Sequence, residues 1–215
     1  MTLRLYDYAA SCNCYKARLL LAQLDVDYER IPVDIFAGET LTDEYAAMNP
    51  ARTTPVLETD EGFLVESNAI LVYLASGTPL LPNDPFQLAQ VVRWLVYEQT
   101  DVIPTLGGLR FRLLVGRLKP DDPAAARRKT AAIDVLQLLD DHLAANEYLA
   151  AGRYTIADIA VYAYSHRAYE AGIDLAPYEN LNAWFKRIEE QPAYIEDVEP
   201  YGANAAPGAG RSIYD

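Results

Sequence analysis

At 215 residues the chain is long enough to bury a sizeable core as one large domain or two small ones, and 51% hydrophobic with 23% charged is an ordinary globular composition. A formal charge of −13 argues against nucleic acid and anionic membrane as partners, because both require clustered Lys and Arg. No apolar run approaches the roughly 20 residues needed to cross a bilayer and the start shows no signal-peptide pattern, so a cytoplasmic protein with no membrane partner is expected; Cys12 and Cys14 are too close for a comfortable disulfide, and His142 and His166 form no ligand cluster, so no metal is expected.

Leu3 and Leu5 alternate with polar or amphipathic neighbours, which predicts a first strand ending near Asp7. After a polar loop, Ala17, Leu20, Leu21 and Leu24 recur at helical intervals and predict a helix over 15–24, capped by Ser11 or Asn13. A second strand over 28–33 ends at or near Pro32, and a short helix over 41–48 is stopped by Asn49-Pro50. Two extended segments then flank an Asp60-Glu61-Gly62 turn, before Ala69, Ile70, Val72 and Leu74 return to helical spacing. The order is β-α-β-α-β-β-α. Three prolines in 77–85, with no strand pattern beyond, mark a boundary: a first domain over 1–77, a linker over 78–85 and an all-helical domain over 86–199.

In that second half Leu88, Val91, Val92 and Leu95 begin a long helix, which Pro104 and Gly107-Gly108 are expected to kink or interrupt before 109–118. Asp121-Asp122-Pro123 opens another helix, carrying Ala132, Val135, Leu136, Leu139 and Leu143 on one stripe as far as about Asn146. Thr155 and Asp158 have capping-box spacing, with Tyr154 and Ile159 placed as a staple, so a buried central helix follows and Asp158 has a structural part. A last amphipathic helix spans 182–191 around Trp184, Phe185 and Ile188. Residues 200–215 are expected to form a flexible tail, or a lid if Tyr214 docks.

The residues that carry chemistry lie around the first-domain turn. Pro55, between the β-branched Thr54 and Val56, lacks a donor and belongs at a sheet edge, a strand start or a cis bond. A cis bond there would turn the Val56 N–H and C=O outward, free to pair with an extended ligand backbone. Glu66 and Ser67 fall where strand gives way to helix, and a helix N-terminus favours a bound carboxylate. This strand–proline–strand, turn, then Glu-Ser opening a helix resembles the glutathione-binding arrangement of the glutathione transferases, and the resemblance covers the whole chain.

That resemblance implies a fold of α/β plus all-α class: a thioredoxin-like N-terminal domain followed by a C-terminal helical bundle. It also implies glutathione as co-substrate without a metal, a small hydrophobic electrophile as the second substrate, and a homodimer. Val56 then pairs with the cysteinyl backbone, with Thr54 and Pro55 in the same contact; Glu66 and Ser67 hold the γ-glutamyl end. Thr53 meets the glycyl end with little reach, for which Arg52 compensates. Glu98 or Asp101 reaches the γ-glutamyl amine, in the partner subunit if the chain dimerises. The electrophile pocket is expected between the first loop and the bent helix, drawing on Tyr8, Tyr97, Thr100, Pro104, Phe111 and Tyr214.

A thiol attacks as thiolate, and a free thiol near pKa 8.5 is mostly protonated at neutral pH. Lowering that pKa by about two units corresponds to roughly 2.7 kcal/mol, which one charge-assisted hydrogen bond and a helix N-terminus can supply. The loop Ser11-Cys12-Asn13-Cys14-Tyr15-Lys16-Ala17-Arg18 offers both. It is similar to that of the serine-type transferases (theta, zeta and many bacterial relatives), in which a serine before a helix arginine contacts the sulfur. The match implies Ser11 as the catalytic hydroxyl and Arg18 as that arginine; Tyr6 or Tyr8 is the rival under the tyrosine-type pattern, and Asn13 is another.

The cysteines depart from the pattern. Ser11-Cys12-Asn13-Cys14 keeps the second but not the first cysteine of a Cys-x-x-Cys motif, leaving a glutathione-dependent thiol–disulfide or peroxide reductase through Cys12 or Cys14 as the alternative. Cys14 reads as a small buried hydrophobe and Cys12 as an exposed, modifiable thiol. A non-catalytic binding protein of the same fold is the third reading.

Overall fold

The computed structural model of the protein describes residues 3–214. The chain divides into two compact units, Met1–Leu74 with Ile195–Asp215, and Ala75–Tyr194. In the first, β1 (Leu3–Asp7), α1 (Cys12–Gln23), β2 (Tyr28–Pro32), α2 (Asp43–Met48), β3 (Val56–Thr59), β4 (Gly62–Val65) and α3 (Ser67–Ala75) follow the predicted order. The sheet runs β2-β1-β3-β4. β1 and β2 are parallel, which demands a crossover of helical length, supplied by α1; the other two pairings are antiparallel.

The period of two along the strands sorts the side chains between two small cores. Leu5 and Leu57 pack with Ala17, Leu21 and Ile70, so α1 and α3 cover one face. Tyr6 and Val56 point the other way and meet Val33 and Tyr45, so α2 lies against the opposite face. This three-layer arrangement is thioredoxin-like.

Residues 195–214, whose latter part was expected to be a flexible tail, pack onto the first unit instead. The Tyr15 hydroxyl donates to the Ile195 carbonyl (2.7 Å), Glu199 N donates to Ala9 O (3.1 Å), Asn204 Nδ2 donates to Asp34 Oδ2 (2.8 Å) and Arg211 N donates to Phe36 O (2.8 Å). The buried Arg18 guanidinium joins Asp7 of β1 to Asp197 (2.8 and 2.9 Å). The rings of Tyr201 and Tyr214 lie 6.3 and 6.1 Å from that of Phe36. Composition misleads here because anchoring depends on a few charges and rings whose partners are distant in sequence, and not on a continuous apolar surface.

The second unit is helical: α4 (Pro85–Tyr97), a π-helical segment (Glu98–Gly107), α5 (Gly108–Leu114), α6 (Pro123–Leu143), α7 (Ile156–Ser165) and α8 (Glu179–Glu189). The break expected at Pro104 is absorbed as that π-helical stretch, whose wider turns accommodate a residue without an N–H. Gly107 is needed there, since a Cβ would stand 2.8 Å from the Tyr164 ring. Every residue of α7 is buried, and its capping box is complete. Asp158 accepts from Leu149 N, Trp184 Nε1 and Thr155 N, each at 2.9 Å, and from the Thr155 hydroxyl.

Candidate functional site

Helix α1 begins at Cys12, three residues before the apolar spacing suggests, because its first turn buries Cys12, Cys14, Tyr15 and Lys16 and has no one-sided stripe to read. Ser11 is its N-cap, extended at φ −82° and ψ 121°, with Oγ accepting from Cys14 N at 3.3 Å. The Cys14 sulfur accepts from Tyr8 N at 3.4 Å, and the Ser11 and Thr54 side chains are near enough to pull its thiol pKa down against the burial. Cys14 thus brings the first turn of α1 and the Pro55 loop into one place.

Burial pushes the Cys14 thiol up to about 12, with the nearby Asp7 charge adding to the effect. Cys12, expected to be exposed, is 1% accessible. The first turn of α1 folds it inward, and neither cysteine is exposed as thiol exchange requires.

The Thr54–Pro55 bond is cis. The outward-facing Val56 expected from it is not found: Val56 opens β3, an interior strand, and is paired with Tyr6 on one side and Val65 on the other. Strand order is invisible in a local pattern, so the two strands that flank Val56 cannot be read from the sequence around it. Among the described residues, no backbone hydrogen bond is made by Thr54, directly before the proline.

Thr53 is committed internally, its carbonyl accepting from the Tyr45 hydroxyl (2.8 Å) and Asn49 Nδ2 (2.9 Å), its Oγ1 from the same amide (3.1 Å). Arg52, expected to extend toward a ligand's end, is left-handed (φ 58°) and donates through Nη1 to the Thr40 and Thr42 carbonyls at 3.1 and 3.0 Å. Those bonds hold the entry to α2.

Glu66 is exposed at φ 68° and its carbonyl accepts from Ile70 N (3.0 Å), so it caps α3 with its carboxylate in solvent. Ser67, the first residue of α3, is buried; its Oγ accepts from Lys16 Nζ at 3.2 Å and donates to Asn13 Oδ1 at 3.3 Å. Lys16 also donates to Asn68 Oδ1 (3.3 Å). Sequence reasoning passed over Lys16, although a signal was present: it lies four residues before Leu20 and four after Cys12, on a buried line where a charge needs polar company.

Tyr6 donates to Glu58 Oε2 at 2.9 Å. The Tyr8 ring is enclosed by Phe36 and Tyr201 (5.8 and 6.1 Å), and burial pushes its phenol up to about 12. Tyr8 borders a cavity of about 460 Å³ with Arg30, Asp34, Glu199 and Asn204; Ser11, Thr54 and Ser67 do not line it.

Tyr97, Asp101, Pro104 and Phe111 belong to the second unit. Tyr97 packs edge-on to Trp94 (5.5 Å) and burial, with Asp101 nearby, pushes its phenol up to about 12. Asp101 accepts from the Thr100 hydroxyl, Pro104 is exposed on the π-helical segment, and Phe111 is half-buried on α5. Glu98 is buried and accepts from Gln99 Nε2 (2.9 Å). Among the described residues no group of three His, Cys, Asp or Glu is arranged for a metal, and no helix is long and apolar enough to cross a membrane.

The first 76 residues match the glutathione S-transferase N-terminal domain family, and residues 102–192 match the glutathione S-transferase C-terminal domain family. Glutathione S-transferase 3 of Zea mays is 31% identical over 91% of this chain and 93% of its own length. The crystal structure of a glutathione S-transferase from Pseudomonas fluorescens superimposes with a TM-score of 0.88 at 36% identity, covering 93% of this chain and all of that one. A glutathione transferase from Pseudomonas putida, with one glutathione disulfide bound per subunit, gives 0.79 at 26% identity over 89% of this chain and 88% of that one.

Proposed function

Because the chain belongs to the glutathione S-transferase family, we propose that it is a serine-type member that holds glutathione as the thiolate and transfers it to a small, soft, hydrophobic electrophile. The observation that carries this reading is the convergence of three groups suited to one extended thiol. The Ser11 hydroxyl stands at the start of α1, the Thr54 main chain lacks an internal partner, and the buried N-terminus of α3 opens at Ser67.

In this reading the Ser11 hydroxyl donates to the sulfur, and the first N–H groups of α1 add positive potential, so the thiol ionises without a base. The Thr54 N–H and C=O pair with the cysteinyl backbone as a short added strand. The γ-glutamyl carboxylate meets the α3 N-terminus and Ser67, while the exposed Glu66 carboxylate reaches the amine of the same residue. A homodimer in the cytoplasm is the setting we propose, by analogy with the family.

The test is Ser11→Ala, assayed by conjugation to an activated aryl halide and by thiolate absorbance of bound glutathione. We expect kcat to fall about 100-fold, equivalent to about 2.7 kcal/mol of lost thiolate stabilisation, and the bound thiol pKa to return toward the free value. Unchanged kcat and thiol pKa in Ser11→Ala, with activity lost in Cys12→Ser, would replace this reading with the reductase.

A further inference from the structure

The binding mode proposed above sets the sulfur at Ser11, the cysteinyl backbone along Thr54 and the γ-glutamyl end at Ser67, and the glycyl carboxylate then runs past Thr53 toward Arg52. No cation of that stretch is available to meet it. From Ile31 to Ala51 the sequence holds Asp34, Glu39, Asp43 and Glu44 and no Lys, Arg or His. Arg52 is engaged by the Thr40 and Thr42 carbonyls, with Nη2 3.9 Å from Asp43 Oδ1. Helix α2 has only six residues and carries Asp43 and Glu44 in its first turn, so its N-terminus is already met by acidic side chains. A carboxylate brought here meets like charges, at a cost that rises as water is displaced.

One guanidinium is carried to this loop from the far end of the chain. Arg211 N donates to Phe36 O (2.8 Å), and Arg211 pairs with Ala37 as an isolated parallel bridge. Its aliphatic stem lies across Gly38, with Cδ 3.5 Å and Cγ 3.7 Å from where a Cβ would stand. Two glycines fix that approach. Gly38, at φ 83°, opens the turn Glu39–Leu41 whose Thr40 carbonyl holds Arg52, and Gly210 passes so close that a Cβ would stand 2.5 Å from Phe36 O. Arg211 is exposed, and among the described residues its guanidinium makes no hydrogen bond or ion pair. The carboxylates on the same loop have other partners: Asp34 Oδ2 accepts from Asn204 Nδ2 (2.8 Å), and Glu39 Oε2 accepts from Asp34 N (2.7 Å).

We propose that Arg211 binds the glycyl carboxylate of the thiol substrate, so that the C-terminal segment completes the site and makes it selective for a thiol whose glycyl end is charged. This rests on the glutathione reading above. A guanidinium presents paired N–H donors that match a carboxylate, and a side chain held by its own backbone bridge has less freedom to lose on binding than one on a loose tail. Selection on charge follows: a ligand with a free glycyl carboxylate gains from Arg211, and one in which that carboxylate is an amide does not.

The experiment measures Kd and KM for glutathione and for glutathione amidated at the glycyl carboxylate, in the full-length protein and in Arg211→Met. Methionine keeps an unbranched stem over Gly38 and removes the charge, and the bond to Phe36 O is made by the main chain and survives the change. We expect the wild type to prefer glutathione to the amide by about tenfold, and Arg211→Met to lose that preference through a rise in the Kd and KM of glutathione, with the amide moving less than twofold. A preference that falls by less than threefold in Arg211→Met overturns the proposal, whether both ligands weaken together or neither does. Limited proteolysis of 195–214 checks that the segment stays docked; should Arg211→Met release it, Arg211→Gln is read by the same criterion. A wild-type preference under threefold overturns the proposal without any variant. Wild-type protein that binds neither compound would instead refute the glutathione reading.

Discussion

Asp158→Ala removes the acceptor on which the second unit converges. The carboxylate takes bonds from three buried N–H groups, those of Leu149, Thr155 and the Trp184 indole, and truncation leaves each without a partner. At about 1–3 kcal/mol per orphaned donor the gross loss is about 6 kcal/mol. Burial pushes the same carboxyl up from 3.8 to about 6 against the pull of its donors, so at neutral pH it holds a charge its surroundings resist. That resistance is worth about 3 kcal/mol, and deleting the group recovers it, leaving a net loss of about 3 kcal/mol at pH 7.

The pH dependence has a definite sign. A carboxyl whose folded pKa lies above its unfolded one holds more protons when folded, so its contribution is full below about pH 4 and declines as pH rises through about 6. The deficit of Asp158→Ala should therefore shrink between pH 4.5 and 7. Both tryptophans, Trp94 and Trp184, lie in the second unit, so urea titration followed by tryptophan fluorescence reports on that unit. A deficit under about 1 kcal/mol at pH 7, or one that widens with rising pH, would refute the reasoning.

Other consequences are equally direct. Cys12 and Cys14 should react with less than about a tenth of an equivalent of an aromatic disulfide reagent in the native protein at pH 7.5 and with two equivalents in urea, because both are buried and Cys14 is held up to about 12; rapid native labelling would contradict this. Gly210→Ala would drive a Cβ into the Asn204 and Phe36 carbonyl oxygens, costing about 2 kcal/mol and releasing 195–214 to limited proteolysis; unchanged cleavage would show that segment to be otherwise anchored. Ser67→Ala should raise the KM for glutathione about tenfold with a smaller change in kcat, and equal losses in both would move Ser67 from binding to chemistry.

Much of this architecture could be read from periodicity. Alternation at Leu3 and Leu5, helical spacing at Ile70 and Leu74, and the Thr155–Asp158 pair each depend on neighbours within a few residues, and those elements appear where expected. Pro55 was legible for the same reason, since proline alone restricts its own peptide bond. What escaped depends on sequence-distant partners. Val56 loses its free edge because β1 and β4 flank it, and strand order is a property of the whole sheet. Helix α1 hides its start because it is buried nearly all round, Lys16 included. The docking of 195–214 turns on Arg18 meeting Asp197, 179 residues away, which no local pattern encodes.

The return of residues 195–214 to the first unit also bears on how the protein is made. On a ribosome the strands and helices of that unit emerge first, but Asp197 appears only after all of α4 to α8 has been synthesised. Until then the Arg18 guanidinium has Asp7 but lacks its second carboxylate, and Phe36 lacks the cover of Tyr201 and Tyr214. The nascent N-terminal portion is thus an unfinished object for most of translation, and expressing it alone, as a fragment ending at the helical region, should yield an unstable, aggregation-prone product.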